Sequence, residues 1–262
     1  MKKFLLIALF IVGCDEVQLS DLLGDFSDGN TPITTISTVN STFNSSSVSL
    51  SWIGNEFANS FSYRLEPLSY TDIVETYTSW SIWDTANTVT FTNLDDGSYN
   101  FHIKSRYTVE NEEIPQSVNF IVDAITGPAL RIYPLYKQVA PGENFSMYVY
   151  SEDVVDLAGV ELHLSYPPSI ISAISMTPSD TLLNLAIFFD TINYTDGSIE
   201  LISTVDSVGY TGSGTLAKIN FTAGDAASLD TLHIKDTSIL RNSGNVQIDI
   251  LDRVYGLIEV IE

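Results

Sequence analysis

From Ile33 onward, apolar residues recur at every second position in short runs. Val48-Ser-Leu50-Ser-Trp52, Phe61-Ser-Tyr63-Arg-Leu65, Val89-Thr-Phe91-Thr, Tyr99-Asn-Phe101-His-Ile103-Lys and Val118-Asn-Phe120-Ile-Val122 all alternate apolar with polar or small residues. Successive side chains of an extended strand leave opposite faces, so each run is a ribbon with one face for a core and one for water. Turn residues separate the runs: Asn55, Asn87, Asp95-Asp96-Gly97 and Asn111. No stretch sustains a 3.6-residue period, and only Ser179 to Ile187 reads as a short helix. Short alternating strands punctuated by turns predict antiparallel β-sandwiches, so the expected fold class is all-β. For 262 residues, one large or two ordinary domains are expected.

The chain opens differently. Met1-Lys2-Lys3 is basic, Phe4 to Val12 is an apolar run, and Gly13-Cys14 precedes Asp15-Glu16. A charged start, a short apolar stretch and small residues at the cut mark a secretory signal, too short to span a bilayer. Phe10-Ile11-Val12-Gly13-Cys14 resembles the bacterial lipobox, which implies lipidation of Cys14 after removal of residues 1–13. Several acyl chains anchor stably, each buried CH₂ contributing about 0.8 kcal/mol. Cys14 is the chain's single cysteine, so no intrachain disulfide framework and no Cys-rich zinc site is available. Residues 14–32 then comprise Cys14 and an acidic tether, of which Glu16 to Pro32, about 17 residues of flexible coil, reach on the order of 20–25 Å. The expected location is the outer membrane or cell surface.

Charge narrows the partners. There are 33 Asp+Glu against 11 Lys+Arg, a net charge of −22 that becomes −24 once Lys2 and Lys3 leave with the signal. Such a surface repels phosphate backbones and anionic headgroups, which excludes sequence-independent nucleic-acid binding.

The first β-rich region, residues 33–123, resembles a fibronectin type III-like module. Trp52 stands at the position of that family's core Trp. Thr88 to Ile103 matches the stretch leading into its corner tyrosine, here Tyr99, and Tyr63 to Ile103 is also similar to triple-tyrosine modules of bacterial sensors. The resemblance implies a spacer or platform. Ala124 to Pro128 is a short linker that permits limited relative motion.

The second region, residues 127–262, carries three ordered motifs. These are the Pro141-Gly142 turn, the Leu157-Ala-Gly159-Val-Glu161 run ending Tyr166-Pro167-Pro168, and Gly212-Ser-Gly-Thr-Leu216-Ala-Lys-Ile219-Asn-Phe221; Gly256-Leu-Ile-Glu-Val follows as a last strand. Together they resemble a cohesin domain, although that family commonly has Tyr-Asp-Pro where this chain has Tyr-Pro-Pro. The resemblance implies a jelly-roll sandwich whose flat sheet face receives a dockerin module. Alternation directs Glu161, His163 and Ser165 outward from one strand, Glu200 from a second, and His233 and Lys235 from a third. These six are the candidate partner-binding residues, and Gly159 stands where the family often has Asn. Phe188, Phe189 and Tyr194 are either aromatic anchors or core.

Catalytic chemistry finds little footing. There is no Gly-x-Ser-x-Gly, and His102, His163 and His233 all sit mid-strand. Gly212-Ser-Gly214-Thr-Leu-Ala217 fits a loose dinucleotide pattern, but the next residues alternate as a strand where a helix is required. Ser151 to Asp156 and Asp190 to Gly197 read as oxygen-rich loops that lack EF-hand spacing.

The expectation is a non-catalytic, lipid-anchored surface protein with no resident metal or cofactor. Its partner would be a dockerin-type module, possibly on a polysaccharide-degrading enzyme, and calcium would enter through that partner. The alternatives are a carbohydrate-binding surface protein, with Trp80 and Trp83 stacking on polysaccharide, and a structural envelope protein.

Overall fold

The computed structural model describes residues 31–68, 79–109, 111–178, 185–205 and 209–261. Cys14, the signal and the tether up to residue 30 lie outside the described residues, as do Tyr70 to Tyr77. All regular structure described is β, in two sandwiches that follow one another along the chain.

In the first, β1 (Thr34–Ile36), β3 (Val48–Gly54) and β5 (Thr88–Phe91) form one sheet in the order β1-β3-β5. The opposing sheet runs β2 (Thr42–Phe43), β8 (Gln116–Val122), β6 (Gly97–Thr108), β4 (Ser60–Pro67), with β7 (Asn111–Glu112) on β6. The alternation seen in sequence becomes the core: Val48, Leu50 and Trp52 meet Leu65, Phe101, Ile103 and Phe120 between the sheets. The Trp52 ring packs against Phe61, Tyr63 and Phe101 at centroid distances of 5.8, 5.8 and 6.0 Å. The buried Tyr99 hydroxyl donates to the Asp95 carbonyl at 2.7 Å, the backward bond of a tyrosine corner.

The second sandwich is organised by one strand. β11 (Asn144–Ser165) absorbs two runs that alternate separately in the sequence. Its first half pairs with β15 (Tyr210–Ala223) and β9 (Ala129–Tyr133), and β15 also pairs with β12 (Ile171–Pro178). Its second half pairs with β14 (Ser198–Val205) on one side and with β16 (Ser228–Ile234) and β17 (Ile239–Asn242) on the other. Register shifts between Val149 and Leu157, with Asp153 and Asp156 at φ 49° and 57°, bend the strand from one sheet into the other. Ser151 to Asp156 is therefore bulged strand and not the loop expected from its composition. β13 (Leu185–Asn193) extends the β14 side. This corrects the helix expected over Ser179 to Ile187: residues 185–187 are strand, and residues 179–184 lie outside the described part. β10 (Tyr136–Val139), β18 (Gln247–Ile248), β19 (Asp252–Val254) and β20 (Gly256–Val260) complete the domain. Val149, Leu162, Leu164, Leu201, Ile219 and Phe221 lie in its core.

The junction between the sandwiches is tied down. The Asp96 carboxylate accepts from the Ala124 and Ile125 amides at 2.8 and 3.0 Å. Asp95, on the same turn, accepts from the Leu135 amide at 3.0 Å and from the Arg131 guanidinium at 3.1 Å. Arg131 is 1% exposed; its Nε donates to Glu152 at 3.1 Å, and its charge lies 4.4 Å from the Tyr150 ring centroid. Ile125, Ala129 and Leu135 form a small apolar cluster beside it. Burial pushes the carboxyls of Glu152 and Asp96 up from their ordinary range, against the opposing pull of Arg131 on Glu152 and of the two amides on Asp96.

Candidate functional site

The second half of β11 runs through the middle of an open sheet face. Val160, Leu162 and Leu164 point into the core and are at most 3% exposed. Period 2 then turns Gly159, Glu161, His163 and Ser165 outward. Register sets their neighbours. On the β14 side, Gly159 lies opposite Thr204, Glu161 opposite Ile202, His163 opposite Glu200, and Ser165 opposite Ser198. β13 adds Phe189 beside Ile202 and Thr191 beside Glu200. On the other side Gly159 faces Arg241, Glu161 faces Ile239, and Ser165 faces His233.

Three of the six expected residues form one cluster. His163 Nε2 lies 3.1 Å from Glu161 Oε1, and His163 Nδ1 lies 3.9 Å from Glu200 Oε1. The strand beneath is pinned: the His163 amide donates to Ser238 Oγ at 2.9 Å, and the Lys235 amide donates to the His163 carbonyl at 2.7 Å. Ser165 and His233 form the adjoining cross-strand pair, and Lys235 follows β16 as an exposed residue at the start of a turn. All six candidates thus belong to one face and its edge.

The face holds more than the sequence reading selected. Phe189, read as anchor or core, is 67% exposed and stands next to Ile202, 50% exposed. Ile202 was legible, since it shares the outward parity of Glu200, but an Ile directly after Leu201 reads as core. At the opposite end Tyr255 is exposed, with its ring 5.3 Å from that of His233. A non-local contact of that kind leaves no sequence signal.

The remaining candidate sites have local explanations. Asn193 Oδ1 accepts from the Thr195 amide, and Asp196 Oδ1 accepts from the Ser198 amide and hydroxyl, so these oxygens hold the turn between β13 and β14. Asp153 accepts from Ser213 Oγ, and Asp156 accepts from the Ser243 amide and hydroxyl. Among the described residues no three His, Cys, Asp or Glu side chains converge as metal ligands. Trp80 and Trp83 stay outside the core, on a segment bonded to the edge of β4 through Ser81 and Asp84. Cations sit over their rings: Arg64 and Lys104 at 5.1 and 4.9 Å from the Trp80 centroid, Lys104 and Arg106 at 5.1 and 4.3 Å from that of Trp83. Arg64 and Lys104 also pair with Glu66 and Glu112. The ladder fastens the segment to the sheet.

The second sandwich thus presents a mixed apolar and acidic sheet face. The family model of the cohesin domain matches residues 136–258. No curated protein matches the chain. Similar solved structures include a non-cellulosomal cohesin from the archaeon Archaeoglobus fulgidus, 15% identical, covering 51% of this chain and 91% of that one with a TM-score of 0.44. Another is the sixth cohesin of scaffoldin B from Acetivibrio cellulolyticus, in complex with a mutant dockerin, at 19% identity, 52% and 100% coverage and a TM-score of 0.46. A third is a cohesin from Clostridium acetobutylicum, at 18% identity, 50% and 90% coverage and a TM-score of 0.45.

Proposed function

We propose that this chain is a lipid-anchored surface receptor whose cohesin domain docks a dockerin-type module on the outward face of β11, β13, β14, β16 and β17. The observation that carries the reading is the convergence of Glu161, His163 and Glu200 beside exposed Phe189 and Ile202. Exposed apolar side chains bordering a charged cluster give a surface that a protein partner can cover. A protein partner is favoured over a polysaccharide because the faces of Trp80 and Trp83, which a sugar ring would need, carry this chain's own cations. Cys14 supplies the anchor, residues 14–32 the tether, and the first sandwich a fibronectin-type spacer; its β1-β3-β5 and β2-β8-β6-β4 sheet orders support that role.

The test is capture of the source organism's secreted proteins on the immobilised full chain, with and without EDTA. The expected result is a dockerin-bearing protein that binds only with calcium and is lost from a Glu161→Lys/Glu200→Lys variant. Calcium-independent capture, or capture indifferent to the double charge reversal, would sink the proposal.

A further inference from the structure

β5 leaves one edge of the first sandwich open. The Trp52 amide donates to the Asn87 carbonyl at 3.0 Å, and the register carries Leu50 opposite Val89 and Val48 opposite Phe91 without a shift. Bonded and unbonded pairs alternate along an antiparallel ladder. Asn87, Val89 and Phe91 therefore direct their backbone groups at β3, and Thr88, Thr90 and Thr92 turn theirs to the other side. Among the described residues no strand pairs with that side. Other edges of this sandwich are covered: the segment from Ser81 to Asp84 bonds along β4, and the Glu113 carboxylate accepts from the Thr34 amide of β1 at 2.7 Å. Edge strands are commonly guarded by charge, proline or a bulge; residues 88–92 carry none of these. A cleft of about 360 Å³ lies off the open edge, between Thr90 to Leu94 of the first sandwich and Tyr136, Leu229, Leu257 and Glu259 of the second. No β3 residue lines it, which places it beside the strand and not over the sheet.

We propose that an extended segment of a protein partner adds to β5 as a further strand, with an apolar side chain beside Phe91 in the cleft and a Lys or Arg at Glu259. A row of free backbone N–H and C=O groups is matched along its length by another strand, which sets the conformation of the occupant. Phe91, Leu94, Leu229 and Leu257 give the cleft its apolar surface and so set the occupant's alternate residues. The Tyr136 hydroxyl and Gln138 Nε2 both donate to Oε2 of Glu259, which leaves Oε1 for a partner. That carboxylate, on a chain of net charge −22, fixes the sign of the occupant's charged group as positive. β5 is short, so few backbone bonds hold the added strand and the cleft supplies the rest. The assignment gives the first sandwich a partner of its own and does not depend on the β11 face.

The full chain, labelled with ¹⁵N and ²H, is titrated with the capped peptide Thr-Leu-Thr-Leu-Thr-Lys, with two forms N-methylated at its Thr or at its Leu residues, and with a form carrying Glu in place of Lys. Saturable shifts are expected at the amides of Thr88, Thr90, Thr92, Leu229 and Leu257. With Leu beside Phe91, the Thr residues of the peptide are the ones that bond to β5. Methylation at Thr should therefore weaken binding about tenfold or more, as loss of two backbone hydrogen bonds implies, methylation at Leu should spare it, and the Glu form should bind more weakly. The Thr90 N–H makes no bond to β3, so Thr90→Pro keeps the ladder and should remove the shifts while the rest of the spectrum stays in place. Leu229 is 58% exposed, and Leu229→Glu should weaken binding with the fold intact. The Glu161→Lys/Glu200→Lys variant should bind the peptide unchanged, whatever becomes of the β11 face. Equal binding of the two methylated forms, shifts retained in Thr90→Pro, or no shift at millimolar peptide overturns the proposal. Shifts at the same amides that grow with protein concentration, without peptide, would overturn the partner and make a second copy of this chain the occupant.

Discussion

Arg131 shows how far residue-level reading reaches. Strand alternation places it outward between Leu130 and Ile132, yet every residue of β9 is buried. The reason is non-local: the turn of the first sandwich that carries Asp95 covers the second face of β9. A period-2 pattern reports one sheet and its solvent, not the arrival of another domain. Arg131→Met should cost about 3–5 kcal/mol, because it strands the Asp95 and Glu152 carboxylates in a buried site; urea denaturation measures it. Glu152 itself has a raised folded-state pKa. A carboxyl of that kind binds its proton more readily when folded, so its contribution is fully present below the unfolded pKa and is lost as pH rises through the folded one. Glu152→Gln should therefore lose stability more steeply than the parent chain as pH falls from neutral toward 4, in parallel denaturation curves.

At the scale of elements, most strands were legible, because a half-buried strand writes its parity into the sequence. β3, β4, β6 and β8 lie on the runs that predicted them. What escaped was continuity and class. Two separate runs proved to be the single strand β11, since a bulge interrupts alternation without ending the strand. β13 was hidden because Leu185-Ala-Ile-Phe-Phe has no alternation. Parity gave the outward direction of the six candidate face residues once the resemblance had picked their strands, whereas the contact of Tyr255 with His233 needed the neighbouring strand. The β13–β14 hairpin depends on Gly197, at φ +68°, where a Cβ would lie 2.1 Å from the Tyr166 carbonyl oxygen. Gly197→Ala should lower stability by roughly 1–3 kcal/mol and speed amide exchange selectively in β13 and β14, and partner affinity should fall with it.

For the molecule as a whole, the junction decides whether two sandwiches act as beads or as a rod. Asp96 holds the linker amides and Asp95 holds Arg131, so one turn fixes both sides of the hinge. The outward face of β11 then keeps a constant direction relative to the first sandwich. Asp95→Ala/Asp96→Ala should broaden the pair-distance distribution in small-angle X-ray scattering while circular dichroism stays that of an all-β protein. An unchanged distribution would mean the apolar cluster of Ile125, Ala129 and Leu135 suffices alone.

The placement of the tryptophans has an optical consequence. All three, Trp52, Trp80 and Trp83, belong to the first sandwich, one within its aromatic core and two beneath the cation ladder. Selective indole excitation therefore lights only the first sandwich and leaves the second dark. Melting followed by indole emission reports the first sandwich, and melting followed by tyrosine absorbance reports both. The gap between the two midpoints reads out, without any label, how strongly the junction couples the halves, and it should widen when Arg131 is replaced.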